Sequence, residues 1–171
     1  MAILTKQLKL ELPQGHAEKR KHFAKLICEQ QIDLNDLLPL AFENETVASR
    51  FFWLLSDVGE IDARKLVVFL PKLFSIRKET TYQNIPHSFS RYWNLYGIPQ
   101  ENEAEAIENL FAWLVDSSSE VSVKVHAMRA LFKLTKKHDG IRNELAATIN
   151  RELGKSTQQF DKVASSILKE L

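Results

Sequence analysis

Asp116-Ser-Ser-Ser-Glu-Val-Ser-Val-Lys-Val-His-Ala-Met-Arg-Ala-Leu-Phe-Lys-Leu134 is the stretch whose pattern decides the fold class. Val123, Ala127, Ala130, Leu131 and Leu134 recur at steps of four, three, one and three, which places them on one face of a helix. Ser118 or Ser119 stands where an N-cap would accept the free amide hydrogens of the first turn. Lys136, Lys137 and His138 gather at the other end, where positive charge suits the helix dipole. Asp139-Gly140 ends the run, and Asp139 is placed to cap a second helix in which Ile141, Leu145, Ile149 and Leu153 are spaced by four. Gly154 closes that helix, and Ser156 opens a last one containing Phe160, Val163, Ala164, Ile167 and Leu168.

The same period extends toward the N-terminus. Residues 100–115 carry Ile107, Leu110, Phe111 and Leu114 on one stripe, with Glu101, Glu103 and Glu105 in the first turn. A helix over 44–57 and another over 62–76 are predicted on either side of Gly59, with Pro71 expected to kink or split the second. Residues 86–96 form a shorter helix ended by Gly97-Ile-Pro99, and 78–85 lacks a period and reads as a loop. Residues 17–30 form a helix with Phe23, Ala24, Leu26 and Ile27, followed by a short one over 33–42. Leu4, Leu8 and Leu12 fit a helix, whereas Leu8, Leu10 and Leu12 alternate like a strand; with no second strand to pair with, helix or loose terminus is the expectation.

Composition agrees with helices. In 171 residues, 44% are hydrophobic and 26% charged, which excludes a disordered chain. Only 5 Gly and 5 Pro leave little material for the turns of an all-β fold. The length suffices for a core without disulfides or a structural metal. A single cysteine, Cys28, can make neither an internal disulfide nor a multi-cysteine zinc site, and Met1-Ala-Ile-Leu-Thr-Lys6 lacks the apolar core of a signal peptide. A cytoplasmic protein is therefore expected. The densest apolar run, over 66–74, is too short for a bilayer and contains Lys72, so no membrane span is expected.

A repeat emerges when the helices are laid end to end. Arg50-Phe-Phe-Trp-Leu-Leu55, Arg91-Tyr-Trp-Asn-Leu-Tyr96 and Arg129-Ala-Leu-Phe-Lys-Leu134 each set an arginine before bulky apolar residues, at steps of 41 and 38 residues. Residues 116–134 resemble a HEAT repeat, in which an aspartate turn precedes a valine, a basic residue, and then small and leucine positions. Val123, Lys124, Ala127, Ala130, Leu131 and Leu134 match, with Lys124 where the family usually has arginine. Residues 47–55 match in hydrophobic register only, since Ala48 holds the basic position and no aspartate turn precedes it. The resemblance to HEAT and armadillo-like proteins covers about residues 32–155. It implies an all-α domain over 1–171: a short right-handed α-solenoid of antiparallel helix pairs, with N-terminal helices in 1–31, repeat pairs in 32–155 and a capping helix in 156–171.

No catalytic template accompanies this pattern. The glycines at 15, 59, 97, 140 and 154 are isolated, so there is neither a dinucleotide fingerprint nor a phosphate loop. His16, His22, His87, His126 and His138 include no pair at the spacing of a helical zinc motif, and neither metal nor cofactor is expected. Cys28 beside Ile27 reads as a buried, inert thiol, and Ser117-Ser-Ser119 as a capped turn.

Charge is distributed more informatively. The net is +1, but successive blocks alternate: +3 over 1–31, −5 over 32–61, +4 over 62–98, −6 over 99–120, +5 over 121–155 and zero over 156–171. Neighbouring helices of opposite charge can select register and partner during folding, and solvated faces account for much of the rest. His126, Arg129, Lys133, Lys136 and Lys137 share one side of a helix opposite its apolar face, and Arg142 and Arg151 extend that stripe if the next helix packs alongside. Among the aromatics, Phe51-Phe52-Trp53 and Tyr92-Trp93 are consecutive, so their rings cannot all face inward from one side of a helix. Trp53 beside Arg50, or Trp93 beside Arg91, would make an apolar and cationic recognition patch, although core packing is the default for most of these rings.

The reading is a noncatalytic interaction module that binds a protein segment on a concave face built mainly from the second helices of the pairs. Its expected contacts are Arg50, Trp53, Arg91, Trp93, Arg129 and Lys133. The rival is a DNA-binding or DNA base-repair protein resembling the HEAT-like alkylation-repair glycosylases, with Asp57, Asp62 or Asp116 as the carboxylate; the acidic stripe Glu101, Glu105 and Glu108 would repel a duplex. A homo-oligomer is a third reading if the last helix leaves apolar surface uncovered.

Overall fold

A computed structural model describes residues 2–171, and every regular element among them is helical. In order they are α1 (Ala2–Glu11), α2 (Ala17–Glu29), a 3-10 segment (Leu34–Phe42), α3 (Glu45–Ile61), α4 (Ala63–Ser75), α5 (Ile85–Tyr96), a 3-10 turn (Gln100–Asn102), α6 (Glu103–Val115), α7 (Val121–Leu134), α8 (Asp139–Glu152) and α9 (Gln158–Glu170). The chain divides into two compact units, Met1–Ser88 and Phe89–Leu171, with the division inside α5, and within them neighbours pack in turn, α2 on α3 and α3 on α4 in the first, α6 on α7, α7 on α8 and α8 on α9 in the second.

The first unit is built around α3, which packs against α2, α4 and the 3-10 segment. Phe51, Phe52, Leu54, Leu55 and Val58 of α3 are buried, and the Phe52 ring stacks on Tyr82 at 4.3 Å. Asn44 caps α3 by accepting from the amide of Val47 at 3.1 Å. The helix runs through Gly59, which is itself buried, so the expected break at that glycine does not occur. It comes instead at Asp62, whose extended backbone ends α3 and whose carboxylate accepts from the amide of Lys65 at 2.9 Å to start α4. Pro71 does not split α4: Leu66 and Leu70 before it and Leu73 and Phe74 after it are all buried, and this packing holds one continuous helix. The ambiguous N-terminal stretch is helical, with Leu8 and Leu12, one turn apart, buried and Leu10 exposed. Residues 34–42, expected as a short helix, take the tighter 3-10 form around Pro39.

The α2 helix ends in a reciprocal turn. The amide of Gln31 donates to the carbonyl of Cys28 at 3.2 Å and that of Ile32 to the carbonyl of Ile27 at 3.0 Å, with Ile32 buried beneath. Gln31 occupies the left-handed region at φ 53°, a place glycine normally takes, and its side-chain amide also donates to the carbonyl of Cys28 at 2.8 Å.

The second unit is built around α7, against which α6, α8 and α9 pack. The stripe Val123, Ala127, Ala130, Leu131 and Leu134 is buried as its spacing requires. Lys124 is also only 8% exposed and lies close enough to favour the ionised form of Asp116. The turn before α7 differs from expectation. Neither Ser118 nor Ser119 caps the helix; Asp116 closes the turn by accepting from the Ser118 amide and hydroxyl, each at 2.9 Å. Those bonds, the backbone one foremost, lower the Asp116 pKa below its ordinary 3.8. Asp139 lies inside α8 and makes no capping bond there. Thr157, one residue beyond the expected Ser156, caps α9 through the Phe160 amide at 3.3 Å. Phe160, Ala164 and Ile167 of α9 are buried, whereas Val163 and Leu168 are half-buried.

Candidate functional site

In the first unit, Arg50, Trp53 and Asp57 lie one turn apart on α3, so they share a face, and Arg20 of α2 meets them there. Trp53 is 40% exposed, and both guanidinium groups lie against its ring, Arg50 at 5.0 Å and Arg20 at 5.5 Å from the centroid. The expected Arg50 and Trp53 pair is therefore assembled. Asp57, named in the sequence only as a carboxylate for the rival reading, joins them, and Arg20, thirty residues upstream of Arg50, was not legible; its Nε donates to Oδ2 of Asp57 while Nη2 reaches Oδ1 at 3.4 Å. Asp57 is 5% exposed, so this ion pair is largely desolvated and fixes Arg20 over the indole.

In the second unit the Arg91 and Trp93 pair separates. Trp93 is 1% exposed, stacked on Trp113 at 5.7 Å and packed on Phe89 at 5.3 Å. It is a core ring and does not belong to a surface patch, and Arg91 beside it is half-buried. Here the bland reading of the consecutive aromatics holds, because Tyr92 is buried as well.

The basic stripe also divides, because α7 ends at Leu134 and Lys136 and Lys137 fall in the turn beyond it. Nδ1 of His126 and the side-chain amide of Asn94 are hydrogen-bonded at 2.8 Å. Lys137 turns toward α6 and donates to both carboxylate oxygens of Glu103, at 2.7 and 2.8 Å, while His138 joins the same carboxylate at 2.7 Å. This contact, the Lys137 hydrogen bond first, lowers the Glu103 pKa below its ordinary 4.5. Arg129, Lys133 and Lys136 remain, and with α9 they line a cavity of about 850 Å³.

The wall opposite α7 is α9, contributing Lys162, Val163, Ser166 and Glu170, with Leu95 of α5 at one end. The floor is apolar: Leu95 is 45% exposed, Phe132 and Val163 are half-buried, and Ile167 lies beneath. Lys133 donates through Nζ to the carbonyl of Asn94, in the last turn of α5. Among the described residues, the side chains of Arg129, Lys136 and Lys162 make no hydrogen bond or ion pair, and all three are exposed. The stripe does not continue onto α8, as Arg142 donates to the carbonyl of Leu171 and Arg151 lies near Thr148. Lys162 was hidden in the sequence because its block, 156–171, sums to zero.

The three carboxylates considered for base repair each hold structure: Asp57 pairs with Arg20, Asp62 caps α4 and Asp116 closes a turn. Burial pushes the Cys28 thiol above its ordinary 9.0, which keeps it protonated and weakly nucleophilic near neutrality. Among the described residues no three His, Cys, Asp or Glu side chains cluster to hold a metal ion, and no helix is long and apolar enough to cross a membrane. No family model, curated protein or solved structure matches the chain.

Proposed function

We propose that this chain is a noncatalytic protein-interaction module that holds a segment of another protein. The observation that carries the reading is the groove between α7 and α9, where a partly exposed apolar floor lies among three cations, Arg129, Lys136 and Lys162, that no acid pairs with among the described residues. A solvated charged face needs no apolar floor, and a core cleft would not be rimmed by exposed lysines. The groove walls are α7 and the final helix, which replaces the earlier expectation of a surface made mainly by the second helices of pairs.

A HEAT-like solenoid belongs to the same proposal. It draws support from the arginine-plus-apolar runs on α3, α5 and α7 and from the buried basic position at Lys124. A reducing, cytoplasmic setting is consistent with one free, buried cysteine. The test is affinity capture from nuclease-treated extract of the source cells, using the wild type and a Lys136→Glu, Lys162→Glu double variant. The reading expects proteins retained by the wild type and lost from the variant. Identical protein sets on the two baits, or retention abolished by nuclease, contradicts it.

A further inference from the structure

We infer that the occupant of the α7–α9 groove is an amphipathic helix of about three turns, apolar on one face and acidic beside it, an inference that rests on the interaction-module reading. Charge complementarity comes first. Four cations, Arg129, Lys133, Lys136 and Lys162, face the groove against one acid, Glu170. Three of the four have no side-chain partner among the described residues, so an incoming carboxylate meets a cation without displacing an existing ion pair.

Spacing then selects a helix over an extended strand. Arg129 and Lys133 stand one turn apart on α7, and Lys136 follows in the turn just beyond Leu134, where the His138 amide still donates to the Leu134 carbonyl, so the three cations keep steps of four and three over about 10 Å. Carboxylates at the same steps on a partner helix laid along α7 match those cations turn by turn. Three same-face residues of an extended strand span about 13 Å and drift out of step. The opposite wall runs from Gln159 to Glu170, about 16 Å, which is the length of three helical turns. Leu95, Phe132 and Val163 offer the incoming apolar stripe a floor. Such a contact is small, and its affinity belongs in the micromolar range of transient interactions.

The experiment uses the full chain and labelled synthetic peptides of about 16 residues, followed by fluorescence anisotropy. The probe has leucines at helical spacing with glutamates flanking them. Its companions are a scramble of identical composition, the same peptide with lysine for glutamate, and a single-stranded oligonucleotide. The amphipathic acidic peptide is expected to bind at least about tenfold tighter than each companion, to gain helicity on binding, and to weaken about tenfold in the Lys136→Glu, Lys162→Glu variant. Equal binding of the scramble overturns the helical occupant, and equal or tighter binding of the oligonucleotide shows a nucleic-acid surface instead. Undiminished binding to the double variant shows that the groove is the wrong surface. If none of the peptides binds while protein capture still depends on Lys136 and Lys162, the helical acidic occupant is wrong and the module reading stands.

Discussion

The two units use one vocabulary and treat their charges differently. Each is organised around a helix that carries an arginine ahead of a run of large apolar residues, α3 in the first and α7 in the second. In the first, the cation at the exposed tryptophan is held internally, Arg20 by Asp57 and the Trp53 ring, and Lys9 and Lys19 pair with Glu43 at 2.7 Å and Glu11 at 2.6 Å. In the second, only the Lys137 end of the basic stripe meets an acid, while Arg129, Lys136 and Lys162 face an apolar-floored groove. Helical period alone does not separate these outcomes. What separates them is whether an acid from a packed neighbour reaches the same face.

This contrast sets an order of expected effects. The largest is at the buried pair. Asp57→Ala leaves the Arg20 guanidinium partly buried without its carboxylate and should cost about 3 kcal/mol in urea unfolding; a loss under about 1 kcal/mol would mean that the first unit does not depend on its internal charge. Next is the exposed pair of the second unit. Because contact with Lys137 depresses the Glu103 pKa, its contribution is present above the unfolded value near 4.5 and lost as pH falls through the lower folded value. Wild type should exceed Glu103→Gln by up to about 1 kcal/mol at neutral pH, with the two melting curves converging in acid. A gap that persists at pH 2 would assign the effect to packing.

Smaller still is the left-handed Gln31 in the first unit. Gln31→Gly relieves backbone strain and forfeits the side-chain bond to Cys28, and a net gain of about 0.5 kcal/mol in thermal unfolding is expected. A loss would show that the side-chain bond outweighs the strain. The smallest effect is at the groove rim: Lys162→Ala should change stability by less than about 0.5 kcal/mol, since its ammonium group has no partner to lose among the described residues. A larger destabilisation would give Lys162 a structural role and erase the contrast between the units.

Much of the fold was legible because the burial pattern repeats at the helical period. The stripe from Val123 to Leu134 and the stop at Gly97 both appear where spacing puts them. Gly59 and Pro71 misled, since local propensity yielded to packing on either side of each. The site was half legible. Arg129 and Lys133 were found from one helix, but Lys162 and Val163 lie on α9, and nothing local in sequence announces that α9 lies along α7. Trp53 and Trp93 look alike in sequence; one meets two arginines at a surface and the other meets Trp113 in a core. That choice is made by tertiary neighbours.

The most direct measurement is a chemical-shift titration of the isotope-labelled full chain with the acidic amphipathic peptide. Binding at the groove predicts perturbed amides over 129–136, in α7 and the turn after it, and over 159–170 of α9, with α2 and the Arg50 to Asp57 face of α3 unchanged. Perturbations centred on Trp53, or saturating binding that leaves α7 and α9 unshifted, would contradict it.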